Sequence, residues 1–192
     1  EILQRNGKPG IFTRNGKEWF DADKAWASQS GEYYILTGMG ANANEGIAIA
    51  TKASGIRIRK TEELIEDAVI TDDGIGYALS DEGTLFTLSE EKAATKKLCG
   101  DAILDAWALT PEFCVVVYDT DSDYDENDKE IPAVNVKLIN LSTAASWRKK
   151  IHYSSEGRAT LQFSAKISGN MIRIETPDNV LHEFTPDGTK TK

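Results

Sequence analysis

An all-β fold is what the 192-residue sequence predicts, and three observations carry the prediction. Short runs of alternating apolar and polar residues recur along the chain, which is the two-residue period of a half-buried strand. They are bounded by Gly, Asp, Ser and Pro, as in Asp81-Glu-Gly83 and Pro177-Asp-Asn179, residues that favour turns. Apolar residues at helical spacing are almost lacking.

Taken in order, the strand-like runs are 26–28, 33–37, 47–51, 56–59, 68–71, 76–79, 84–88, 106–109, 113–118, 134–141, 159–163, 171–175 and 180–184. Among them 113–118 (FCVVVY) and 134–141 (VNVKLINL) stand on either side of the acidic stretch described below. Two segments have some helical character, 61–66 (TEELIE) and 89–97 (SEEKAATKK). The second reads equally well as a turn leading into a strand. Gly38-Met-Gly40 and the small residues after it have a loop's composition.

Internal repetition organises these runs. The segments starting at Lys24-Ala25, Asp67-Ala68, Asp105-Ala106 and Arg158-Ala159 align on alanines spaced 43, 38 and 53 apart; without a twelve-residue acidic insertion at 119–130 the last interval is 41. A period of ~40 residues is that of a four-stranded propeller blade. The stretches DAVITDDGIGYALSDEGTLFTLS (67–89), DAWALTPEFCVVVYDTD (105–121) and NMIRIETPDNVLHEFTPDG (170–188) share a strand, turn, strand, turn, strand rhythm. On these stretches residues 20–188 resemble WD40-like and quinoprotein-like β-propellers. Gly-His, Trp-Asp and Trp-rich docking signatures are missing. The resemblance implies one all-β domain over 1–192 with about four blades, and a β-sandwich is the alternative. Gly10-Ile-Phe-Thr-Arg14 is expected to complete the last blade, or else two copies of the chain close one ring as a homo-oligomer.

Composition narrows the partners. A net charge of −9, from 22 basic and 31 acidic residues, argues against nucleic acid, whose binding rests on clustered Lys and Arg. The basic clusters Arg57-Ile-Arg59-Lys60 and Arg148-Lys-Lys150 are short and suit solvated strand edges or turns. No run of 18 apolar residues points to a membrane. Cys99 and Cys114, each beside apolar residues, read as buried thiols. The compartment stays open, with the cytoplasm favoured.

The sharpest chemical lead is DTDSDYDENDKE at 119–130, with seven carboxylates in twelve residues. A calcium loop brings hard oxygen ligands round one ion, and Asp119, Asp121, Asp123, Asp125 and Glu130 fall at ligand positions of a twelve-residue EF-hand-type loop. Counted from Asp121, the order resembles dockerin-like and thrombospondin-like loops. Tyr124 or Glu126 stands where such loops need glycine, and strands rather than helices flank the stretch. A solvated hairpin loop and an acidic docking loop are the alternatives.

Other candidates are aromatic. Tyr34, Trp147 and Arg148 have the composition of binding hot spots, with one of Tyr33 and Tyr34 expected on an exposed face. His152 and His182 lie thirty residues apart and suit surface or packing roles. The functional expectation is a non-catalytic module that presents loops to a protein partner, a basic one by charge. Its alternatives are a calcium-binding structural or surface domain, with Ca2+ as the one cofactor the sequence suggests, and a hydrolase or lyase using carboxylates such as Asp67 and Asp105 near a ring axis.

Overall fold

Alternating side chains become strands wherever one face can be laid on a core, and all regular structure here is of that kind. The computed structural model describes residues 11–14, 17–40, 45–51, 55–100, 103–156 and 160–191, and among them there are strands and no helix. The chain divides into two compact units, Glu1–Lys96 and Lys97–Lys192.

In the first unit, β1 (Ile11–Arg14), β2 (Lys17–Ala27), β3 (Tyr33–Gly40), β4 (Glu45–Thr51) and β5 (Gly55–Lys60) form one antiparallel sheet in chain order. A second meander follows: β6 (Ile65–Ile70), β7 (Gly76–Ser80), β8 (Thr84–Leu88) and β9 (Ala93–Lys97). Ile35, Ile47 and Ile49 of the first sheet share a buried core with Ile65, Ile70, Phe86 and Leu88 of the second. Burying a side chain of this size stabilises the unit by about 1.5–3 kcal/mol.

The second unit repeats the plan. β10 (Ile103–Leu109) and β11 (Phe113–Asp119) lead into a small hairpin of β12 (Asp123–Tyr124) and β13 (Glu130–Ile131). β14 (Ala133–Asn140) and β15 (Ser146–His152) then complete a sheet of order β10-β11-β14-β15. A three-stranded meander of β16 (Ser164–Ser168), β17 (Met171–Glu175) and β18 (Leu181–Phe184) ends the unit. Val115, Val117, Val134, Val136 and Leu138 of one sheet bury against Ile172, Ile174 and Phe184 of the other.

Two local devices recur. The pairing register shifts between Ala22 and Lys24 on β2, between Ile65 and Asp67 on β6, and between Ile103 and Trp107 on β10, so each strand that carries an aligned alanine (Ala25, Ala68, Ala106) is irregular at or just before it. A bulge adds a residue and sharpens the strand's twist. The second device is a turn. In Thr71-Asp-Asp-Gly74, Thr176-Pro-Asp-Asn179 and Thr185-Pro-Asp-Gly188 the threonine hydroxyl donates to the aspartate two residues on. In all three the fourth residue has positive φ and its N–H donates to the threonine carbonyl. Asp and Thr side chains here substitute for backbone partners, which is why such residues select turns over strands.

Several expectations need correction. Residues 61–66 form no helix; β6 already begins at Ile65, and Ser80 Oγ donates to Glu63 Oε2 at 2.5 Å. Residues 89–97 take the strand alternative, because the Lys92 N–H donates to Ser89 Oγ at 3.0 Å and closes a turn ahead of β9. Gly38 to Gly40 belong to β3 rather than to a loop. Gly38 has φ of 148°, and a Cβ there would lie 2.0 Å from the Asp21 carbonyl oxygen, so glycine lets β3 pass the irregular stretch of β2.

Strand register corrects the repeat as well. Ile11–Arg14 pairs with β2 in the first sheet and does not complete the last one. The expected strand 159–163 is displaced: 160–163 are irregular, Ala159 lies outside the described residues, and β16 starts at Ser164. Gly169, with φ of 54°, sits first in a two-residue Gly-Asn hairpin turn that sets Ser168 opposite Met171. The strand of 146–152 was not foreseen. As an edge strand it has a mostly solvated face, and its apolar period is correspondingly faint.

Candidate functional site

The acidic stretch folds by spending several of its carboxylates on its own backbone and neighbours. Asp125 Oδ1 accepts the N–H groups of Asn127 (2.8 Å) and Lys129 (2.9 Å), closing the turn between β12 and β13. These donors, Lys129 first, hold the Asp125 carboxyl below the usual range. Asp128 occupies the turn at φ of 57°, a conformation that aspartate tolerates better than most residues. Ser122 Oγ donates to Glu130 Oε1 at 2.7 Å across the hairpin.

Asp123 ties the hairpin to β15. Its Oδ1 accepts from Lys150 Nζ and its Oδ2 meets His152 Nε2, both at 2.6 Å. The Lys150 bond, then the His152 bond, lowers the Asp123 pKa. The five carboxylates expected to gather around calcium are therefore distributed: Asp123 faces β15, Asp125 holds the turn, Glu130 braces the hairpin, and Asp119 Oδ1 accepts the Thr120 N–H at 3.0 Å. Asp121 is exposed at the mouth of a depression described below. Among the described residues no three His, Cys, Asp or Glu side chains are grouped as metal ligands would be. Tyr124 stands 66% exposed between Asp123 and Asp125 on this braced hairpin.

Beside the hairpin's base lies an open cleft of about 810 Å³. Asp105 of β10, Asp119 at the end of β11 and Glu175 at the end of β17 line it, together with Tyr153 and Phe163. The two rings meet edge to face with centroids 5.1 Å apart, a favourable arrangement of aromatic quadrupoles. No Lys, Arg or His is among its described lining residues. Burial, then the charges of Asp119 and Glu130, raises the Tyr153 phenol pKa, so the ring sits in a negative field.

The remaining candidates are dispersed. Trp147 and Arg148 both border a second open depression, of about 900 Å³, with Asp119 and Asp121 on the same rim. Trp147 is nevertheless half-buried: its Nε1 donates to the Pro186 carbonyl at 2.9 Å, and its ring lies 5.4 Å from that of Phe184. Arg148 is exposed on β15, an edge strand. Tyr33 and Tyr34 do face opposite sides, but both are half-buried, each against a different core of the first unit.

Asp67 also acts structurally: its carboxylate accepts the Ala68 N–H at 2.8 Å and a bond from Trp26, while burial, the larger effect, raises its pKa. Asp105 borders the cleft. Sequence reasoning missed Glu175, Tyr153 and Phe163, which no motif connects, and Tyr124 was seen only as the residue in glycine's place. An aromatic inside a run of carboxylates was the available signal. Compared with known proteins, the chain matches no family model and no curated protein.

Proposed function

We propose that the chain is a non-catalytic interaction module of β-propeller type that offers the 119–131 hairpin and the acidic cleft beside it to a basic protein partner. Four successive antiparallel meanders, with a register shift at or just before each of three aligned alanines, support the propeller reading. The observation that carries the function is Tyr124: an exposed aromatic, flanked by carboxylates, on a hairpin already braced by Asp123, Asp125 and Glu130. A preorganised aromatic anchor loses little entropy on docking, and charge around it steers an oppositely charged partner. The cleft adds an apolar and aromatic wall under carboxylates, suited to a Lys or Arg side chain of that partner.

A defined probe tests this. An arginine-rich hexapeptide is titrated into the full chain at low and at physiological salt, followed by backbone amide shifts. Perturbation centred on Tyr124 and Tyr153, weakened at least fivefold by Tyr124→Ala and by the Asp105→Asn, Glu175→Gln pair, supports the reading. Shifts spread evenly over all acidic residues, or none at all, refute it.

A further inference from the structure

We infer that the second unit carries a binding site for a tetrahedral oxyanion, phosphate or a phosphate monoester, in the cavity between the β15 and β18 edges. The cavity, of about 490 Å³, is walled by Lys149, Lys150 and His152 of β15, by His182 and Phe184 of β18, and by Lys190. None of its described lining residues is a carboxylate, although the chain as a whole carries −9. Among the described residues, neither Lys149 nor Lys190 has a carboxylate partner. Lys149 and Lys190 bring two ammonium groups without a carboxylate partner to this wall, and an anion between them is favoured over water alone.

An independent observation points the same way. His182 is 8% exposed, and its Nε2 is buried with no hydrogen-bond partner in the protein. Buried polar atoms are nearly always satisfied, so this orphan, on a residue that lines the cavity, calls for a partner. Burial first, and then Lys190, lowers the pKa of this imidazole, against Asp178, which raises it. A neutral ring with its proton on Nε2 donates one bond to an oxyanion while the lysines supply charge; the broad torsion about the ring's attachment allows the small tilt this needs. Lys150 and His152 are already bonded to Asp123, so the charge that meets the anion comes from Lys149 and Lys190. Phosphate carries between one and two negative charges at neutral pH, matching the pair of unpaired ammonium groups.

The test is calorimetric and NMR titration of the full chain at low ionic strength with inorganic phosphate and, separately, with glycerol phosphate. Saturable binding of either, with the largest shifts at His182, Lys149 and Lys190, is the expected result. The Lys149→Gln, Lys190→Gln pair, both exposed, weakens binding at least tenfold, His182→Phe at least threefold, and the exposed Lys166→Gln outside the cavity less than twofold. Glycerol phosphate binding at least tenfold tighter than inorganic phosphate assigns the ester as the ligand; the reverse or equality assigns the free ion. If neither saturates, or if Lys166→Gln weakens binding as much as the lysine pair does, the site does not exist. Should His182→Phe fail to fold, the lysine pair decides alone.

Discussion

Two concavities on the second unit make an instructive pair, because the same two sheets build both and give them opposite signs. Near β10 and β16 the acidic cleft collects Asp105, Asp119 and Glu175 with no cation among its described lining residues; between β15 and β18 the other cavity collects three lysines and two histidines, of which Lys150 and His152 are bonded to Asp123. Their floors are alike, aromatic and aliphatic side chains of one shared core. The difference lies in which residues sit where strands leave the core, so the sheets supply shape and the edges and loops supply charge. Function can change at these edges with little cost to folding.

The largest way to break the comparison is through Trp147, whose ring packs on Phe184 and over Gly188, two residues that also wall the cationic cavity. Trp147→Ala is expected to destabilise the second unit by about 3 kcal/mol, within the range for removing a large aromatic from a packed site. Urea denaturation measures it. The raised phenol pKa of Tyr153 in the acidic cleft should survive at low urea, and if it collapses too, the two concavities are not independent. Gly188→Val acts on the same contact with a smaller cost: a Cβ there comes 3.0 Å from the Trp147 ring, at a φ of 86° that β-branched residues resist.

A second break comes from protons. His182 has a folded-state pKa below its unfolded value, so the unfolded chain binds the proton first as pH falls. The native state is therefore fully stable above pH ~6.5, and stability is lost progressively below it. His182→Phe removes that slope, and thermal melting between pH 7.5 and 5 should show it: a fall in Tm for the parent chain and a flatter profile for the variant.

How much of this was legible beforehand depends on burial. Strands with a fully buried face, such as β11 with Val115 and Val117 or β14 with Val134, Val136 and Leu138, declared themselves by apolar content or alternation. β9 was legible only as one of two alternatives and β15 not at all, because Ala94 to Lys97 and much of Ser146 to His152 are exposed and a solvated edge has no period to read. The fourth repeat was placed too early because its true marker is the Gly169-Asn170 turn, not an alanine. The sites were less legible than the strands. His152 and His182 converge on one cavity only through pairing of β14 with β15 and β17 with β18, long-range facts that no local motif encodes. The acidic run was conspicuous, but its composition said nothing of which carboxylates fold inward on the backbone.

Smaller effects sharpen the contrast in the acidic region. Asp119→Asn removes a negative charge that helps to raise the Tyr153 phenol pKa, so ionisation of that ring should move to lower pH, though burial, the larger cause, keeps it above the ordinary value. Absorbance of tyrosinate during an alkaline titration reads the change; an upward shift would contradict the negative field assigned to the cleft.

The smallest effect on global stability, and the most local, belongs to Asp123. Its bonds to Lys150 and His152 are solvent-exposed, so Asp123→Asn should leave the melting temperature nearly unchanged. What changes is the hairpin: amide exchange at Tyr124 and Glu130, paired across β12 and β13, should accelerate several-fold while that of Val117 in β11 stays fixed. The pH dependence follows from the lowered carboxyl pKa. Its contribution is present above the unfolded aspartate value near ~3.9 and is lost only as pH falls through the lower folded value, so the hairpin should remain protected at pH 4 and open below it. Equal exchange rates at Tyr124 in parent and variant would mean that the ion pair braces nothing, and the preorganisation on which the docking role of Tyr124 rests would then belong to Asp125 and the turn alone.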